Sequence, residues 1–163
     1  MEAVREAEES DEARFSELAH EFIEDLVARR GGAQLVGTVD GGGDIPWPRA
    51  LHELLADDLT LALIGTLDDA VTGFGVCHQH VRLNHRRGVL DACFVEPEAR
   101  GIGLGRLLVD TMTSWLEAAG CDGVDGFVLP GARESKNLFE AAGFKARILV
   151  MHRSFDGEIR TEA

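Results

Sequence analysis

The 163-residue sequence predicts an α/β chain, a mixed and mostly antiparallel sheet covered by helices. Two observations carry that expectation and a third bounds it. Phe15, Leu18, Phe22 and Leu26, and again Leu104, Leu107, Leu108, Met112, Trp115, Leu116 and Ala119, recur at the three- and four-residue steps of helices with one buried face. Between these stretches, apolar runs separated by short polar turns give way to runs that alternate with helical patterns, as hairpins leading into strand–helix units would. No repeat, low-complexity tract or linker divides the chain, so residues 1–163 are expected to form one domain.

Residues Glu2–Glu6 alternate weakly as a first strand, and Ser10 or Asp11 can cap the helix that ends near Arg30-Gly-Gly. A glycine-rich stretch, Gly37 to Asp44, precedes Pro48, which suits the first turn of a short helix carrying Leu51, Leu54 and Leu55. Leu59–Ile64 and Thr72–Val81 read as a hairpin turning at Leu67–Ala70, followed by a polar turn over Arg82–Gly88. Strand Val89–Val95, helix Leu104–Ala119, strand Val124–Leu129, helix Arg133–Ala142 and strand Ala146–Ser154 complete the pattern.

Composition narrows the class of protein. Hydrophobic residues at 45% and charged residues at 28% are ordinary for a chain with a packed core, and no apolar run is long enough to span a bilayer. The acidic N-terminus lacks the blocks of a signal peptide, and Cys77, Cys93 and Cys121 are odd in number and widely spaced, so the expectation is a cytoplasmic protein with reduced thiols. A formal net charge of −13 argues against nucleic acid as a partner. It suits attraction of a cationic amine, although acidity as a general solubility trait explains it equally well.

The chemistry concentrates between Val89 and Val109. A buried strand runs through a Pro-Glu turn into Arg100-Gly101-Ile102-Gly103-Leu104-Gly105-Arg106 and then an amphipathic helix. Glycines at alternate positions leave backbone N–H groups bare at a helix N-terminus, where the helix dipole favours an anion such as a pyrophosphate. The spacing is not that of a dinucleotide fingerprint, because the residues five after Gly101 and Gly103 are Arg106 and Leu108. A Walker loop is excluded by the absence of a Gly-Lys-Ser/Thr tripeptide.

The pattern that fits is [QR]-x-x-G-x-[GA], and here the chain resembles the GNAT superfamily of N-acetyltransferases. Ser135-Lys-Asn-Leu-Phe-Glu-Ala-Ala-Gly-Phe144 is similar to that family's later motif, with Gly143 ending the helix and Phe144 pinning the next strand to the core. The resemblance, over roughly residues 73–153, implies acetyl transfer from acetyl-CoA to an amine by direct attack in a ternary complex, with coenzyme A as product. It also implies that two neighbouring strands splay apart to hold the cofactor. The small-molecule or peptide acceptor, the acyl-chain preference and the oligomeric state stay open, a homodimer included. The variable region around Gly37–Asp44 is where relatives place substrate-contacting elements.

Residue by residue, the resemblance places Cys93, Phe94 and Val95 along the pantetheine arm, with a main-chain N–H near Val95 donating to the thioester oxygen. The second wall is the strand around Phe127–Leu129. Arg100, Gly101, Ile102, Gly103, Leu104, Gly105 and Arg106 form the phosphate loop, and Ser135 and Phe139 flank the pantetheine. Asp91 is the candidate base, placed by strand alternation on the face of Cys93 and Val95, with a hydrogen-bonded structural aspartate as the alternative. Glu96 and Glu98 shape the turn.

The chain departs from the family pattern at two positions. Phe139 stands where relatives often carry a tyrosine acid, and the sequence contains no tyrosine. Ala132 stands where many carry an asparagine. Water, Ser135 or Cys93 then remain to hydrogen-bond the sulfur; the alternative reading is a catalytically silent acyl-CoA-binding sensor or regulatory module. His78 and His80 alternate on one strand face, but no companion ligand is evident and no metal is expected. Trp47, between two prolines, reads as a core anchor or a pocket floor.

Overall fold

In the computed structural model, which describes residues 1–32, 35, 49–151 and 153, five strands pair in sequence order. They are β1 (Glu2–Glu6), β2 (Thr60–Leu67), β3 (Ala70–Arg82), β4 (His85–Val95) and β5 (Val124–Gly126). The first four pair antiparallel, and β4 pairs with β5 in parallel. The sheet is therefore mixed and mostly antiparallel, as the sequence pattern predicts. Asp68 and Asp69 turn the β2–β3 hairpin, and Leu83 and Asn84 the β3–β4 hairpin, all with positive φ, the backbone twist that two-residue hairpins favour.

The second hairpin corrects an expectation. The polar run Arg82–Gly88 is mostly strand, with β3 reaching Arg82 and β4 starting at His85. This end of the hairpin projects into solvent, so no buried face imposes apolar alternation on it. Polar pairs hold it instead: Arg86 Nη1 donates to Gln79 Oε1 at 2.7 Å, and His85 Nδ1 lies 2.8 Å from Asp122.

Alternation along the central strands sends side chains into two cores. Ala62, Ile64, Phe74 and Val76 pack against helices α1 (Glu12–Val27) and α2 (Leu51–Leu55), through Phe15, Leu18, Leu51 and Leu54. Leu61, Leu63, Cys77 and Leu90 pack on the opposite face against Leu104, Leu108, Met112 and Leu116 of helix α3 (Leu104–Ala118). Leu107, expected on that apolar face, is 37% exposed at its margin, and Val109 is buried in the same helix. The last helix, α4 (Arg133–Ala141), lies beside α3.

Local capping differs from the expectation at Asp11. Its carboxylate accepts from both Arg5 terminal nitrogens at 2.7 Å and from the Glu8 N–H at 2.9 Å, so it ties β1 to the turn before α1 instead of capping that helix. Glu12 reaches across to accept from the N–H groups of Leu51 and His52 at 3.1 and 2.9 Å, capping α2 from another element.

Strand β5 ends at Gly126, three residues before the predicted end. The described residues of the predicted strand Ala146–Ser154 form no strand, and Ile148, Leu149, Val150 and Met151 are each at least 76% exposed. The apolar pattern is real, but strand formation needs a partner, and β5 offers a short edge. Gly37–Asp44, Trp47 and Pro48, with the roles expected of them, lie outside the described residues. Among those described, no helix is long and apolar enough to cross a membrane.

Candidate functional site

Pairing between β4 and β5 stops at Leu90 opposite Gly126. Beyond that point Phe127–Leu129 leave the ladder while β4 continues to Val95. A cavity of about 690 Å³ opens there, walled by β4, by Phe127 and Leu129, and by Ser135 and Phe139 of α4. Backbone alternation fixes what β4 shows to it. The Glu96 N–H donates to the Thr72 carbonyl on the β3 side at 2.9 Å. Successive residues direct their backbone groups to opposite sides, so the N–H and C=O of Val95 face the gap. That carbonyl accepts from Arg100 Nε at 2.8 Å, which leaves the N–H as the polar group offered to the cavity.

At the end of β4 the chain makes one 3₁₀ turn, Pro97–Ala99, and enters the glycine loop. Gly101 and Gly103 have φ of +81° and +105°, and a Cβ built on either would meet nothing within 4 Å. The left-handed backbone makes glycine the favoured residue there, while the space beside it stays open. Helix α3 begins immediately after, without a side-chain cap. Its first-turn amides therefore present the positive end of the helix dipole to the loop.

The side chains of the loop are more committed than the sequence implies. The Arg100 guanidinium lies 5.7 Å from the Phe94 ring centroid while its Nε bonds Val95. Arg106 donates to Asp110 at 2.7 Å and to the Ala141 carbonyl at 2.6 Å, bracing α3 against the end of α4. Leu104 is buried in the core and Ile102 is 43% exposed. Neither lines the cavity, whereas Arg100, Gly101, Gly103, Gly105 and Arg106 do.

Asp91 lines the cavity, but on a different face from the expected one. The β3–β4 register slips between Val76 and Cys77: Val76 lies opposite Ala92 and Cys77 opposite Leu90, so Asp91 is the extra residue of a bulge. The bulge breaks alternation and turns Asp91 toward the α1–α2 side, with Ala92 and Phe94, away from Cys93 and Val95. There His78 Nδ1 lies 3.0 and 2.8 Å from its two carboxylate oxygens. Burial pushes the Asp91 carboxyl above the usual carboxylate range, and His78 opposes that shift.

Cys93 points the other way. Its Sγ lies 3.8 Å from the Gly105 carbonyl, and burial pushes the thiol up to about 12. It is a neutral thiol directed at α3. Phe139 lines the cavity with its ring edge-on to Phe144 at 5.0 Å. Gly126 is required beneath it, since a Cβ there would fall 2.5 Å from Phe139 Cε1. Ser135 lines the cavity, Ala132 is buried at the start of α4, and Asn137 is exposed. Glu96 is bound to Arg14 of α1 at 2.6 Å, consistent with a turn-shaping role; Glu98 is exposed.

Two contributions escape sequence reasoning. Phe22 and Leu26 belong to the periodic face of α1 and read as core, yet they line the cavity together with Asp25 and Arg29. The second is His78, whose contact with Asp91 depends on strand register. Its only sequence signal is the alternation of His78 with His80.

Known proteins share this architecture. The model described as "Acetyltransferase (GNAT) family" matches residues 41–144. A transcriptional regulator from Bacillus halodurans C-125 superposes with a TM-score of 0.71 at 19% identity, covering 95% of this chain and 100% of its own. An aminoglycoside acetyltransferase from an uncultured soil metagenomic sample gives 0.68 at 13% identity, covering 96% and 97%. An aminoglycoside N-acetyltransferase in complex with coenzyme A gives 0.68 at 18% identity, covering 93% and 98%. Likeness at these identities is a likeness of fold. No curated protein matches the sequence.

Proposed function

This chain belongs to the acetyltransferase (GNAT) family, and from that premise we propose that it is an N-acetyltransferase, using acetyl-CoA and a primary amine in one ternary complex. The observation that carries the reading is the cavity between the diverging β4 and β5, which runs to the uncapped start of α3. The fit rests on the chain's own geometry. Gly101 and Gly103 leave open space where a side chain would stand, and Arg100, Ile102, Leu104, Gly105 and Arg106 complete the loop whose amides would hold the phosphates. Acetyl-CoA would supply an activated thioester.

Each remaining task falls to a named group. The Val95 N–H would hold the thioester oxygen where negative charge develops, and Cys93, Phe94, Ser135 and Phe139 would line the pantetheine arm. Asp91, in the cavity wall, would take the proton that an ammonium must lose before its nitrogen can attack. Phe139 offers no proton, so the departing thiolate would leave unaided or on water; thiols near pKa 8.5 are tolerable leaving groups. The acceptor is a small-molecule or peptide amine, and Asp25 and Glu134 add acidic groups to the same cavity. The free thiols Cys77, Cys93 and Cys121 suit a reducing, cytoplasmic setting. The whole chain would act as one domain.

The test is release of free thiol from acetyl-CoA with a panel of polyamines, amino acids, aminoglycosides and peptides, with the acetylated amine identified by mass. Transfer to any amine supports the reading. Binding of acetyl-CoA without transfer to any of them would favour a silent acyl-CoA-binding module, which the absence of a donor at Phe139 makes the one rival to consider. Failure to bind coenzyme A would overturn both.

A further inference from the structure

We propose that His78 is the positioning residue for Asp91: its Nδ1–H spans both carboxylate oxygens and holds that carboxylate in the cavity wall, ready to accept a proton from the amine. The proposal rests on the acetyl-transfer reading and deepens it. An ionised carboxylate only accepts hydrogen bonds, so with Asp91 ionised the Nδ1 lying 3.0 and 2.8 Å from its oxygens is the donor, the tautomer that the experiment below reads. The pair is enclosed, with 13% of the His78 side chain and 6% of the Asp91 side chain accessible.

A purely structural pair would be a costly way to fill this space, because burying a carboxylate must be compensated. Its location is also specific. Asp91 is the unpaired residue of the β3–β4 bulge, and the bulge turns its side chain toward His78 while it still lines the cavity. His78 itself does not line the cavity, so it acts through Asp91. From β3, His80 lies beside it with ring centroids 5.7 Å apart.

Among the described residues, the other ionisable groups near the pair include Asp57, which interacts with His78 and whose carboxyl is held below the usual range chiefly by hydrogen bonds from Thr60 and Leu59. His78, Arg49 and His80 favour the charged carboxylate against its burial. The Cys77 thiol is itself held protonated by burial and by Asp91. Asp25 of α1, Arg29 just beyond its end and Glu134 of α4 line the same cavity. Of all these, His78 makes the side-chain hydrogen bond to Asp91.

The experiment compares wild type, His78→Leu, which removes the donor, and His78→Asn, which retains one near the Nδ1 position. For His78→Leu, kcat should fall at least about tenfold, part of the roughly 10²–10⁴-fold that a positioned base contributes, with KM for acetyl-CoA unchanged. The acid limb of its kcat/KM profile should move to higher pH, because Asp91 loses the partner that favours its charged form. His78→Asn should recover most of kcat. Ring-¹⁵N NMR of the wild type, which needs no turnover, should find His78 protonated at Nδ1. An active wild type whose His78→Leu variant keeps kcat and the acid limb overturns the inference alone, as does a neutral His78 protonated only at Nε2. Should His78→Leu fail to fold, the tautomer and the kcat of His78→Asn decide the matter. A wild type silent on every amine overturns the acetyl-transfer reading, and the positioning role of His78 with it.

Discussion

Replacing Gly103 with valine separates the phosphate-loop reading from mere helix capping. The residue has φ +105° and ψ −10°, and a Cβ there would meet no atom within 4 Å. The cost to folding is therefore conformational, about 1–2 kcal/mol for a side chain in left-handed backbone. A chain of this size should lose about 2–4 °C in Tm per kcal/mol, so the variant should stay folded with Tm lowered by roughly 2–8 °C. The cost to binding is different in kind. The isopropyl group fills the open space beside the uncapped α3 amides, where the proposal seats the pyrophosphate. Losing two charge-assisted hydrogen bonds of about 1.5 kcal/mol each would weaken coenzyme A about 100-fold. Titration calorimetry on a variant shown to be folded by its melting curve measures this directly. A folded Gly103→Val protein that binds coenzyme A like the wild type would refute the phosphate-loop assignment.

Three further outcomes are expected. Phe139→Tyr adds a hydroxyl where the chain has none, and turnover should hardly change if the thiolate leaves unaided; a rise on the order of 10²-fold in steady-state kinetics would mean that departure limits and a donor was missing. Arg5 holds the Asp11 carboxyl below its usual range, so the pair's stabilisation is present above the unfolded pKa of about 3.9 and lost as pH falls through the lower folded value. Asp11→Asn should thus lower stability at neutral pH and flatten the pH dependence below about 4, read from denaturant melts; unchanged neutral stability would count against the pair. A Cβ at Gly73 would lie 2.7 Å from the Phe94 carbonyl oxygen, whereas one at Gly75 would press 3.0 Å from the flexible end of Met112. Gly73→Ala should therefore destabilise more than Gly75→Ala in thermal melts, since backbone cannot move aside as a methionine can; the reverse order would refute this.

The sequence by itself determined the features that depend on neighbours along the chain. Helical periodicity marked α1 and α3, because a buried face repeats every three to four residues whatever covers it. The alternate glycines marked the loop ahead of α3, because left-handed backbone at Gly101 and Gly103 restricts the residue type there. Only tertiary structure decided the rest. The turn of Asp91 away from Cys93 follows from one slipped residue between β3 and β4, and register is a property of two strands together. Arg106, expected as part of the phosphate loop, is engaged by Asp110 and Ala141, the latter on an element 35 residues away. The apolar run Ile148–Met151 reads as a strand yet remains exposed, because strand formation requires a partner edge that a periodic sequence cannot supply for itself.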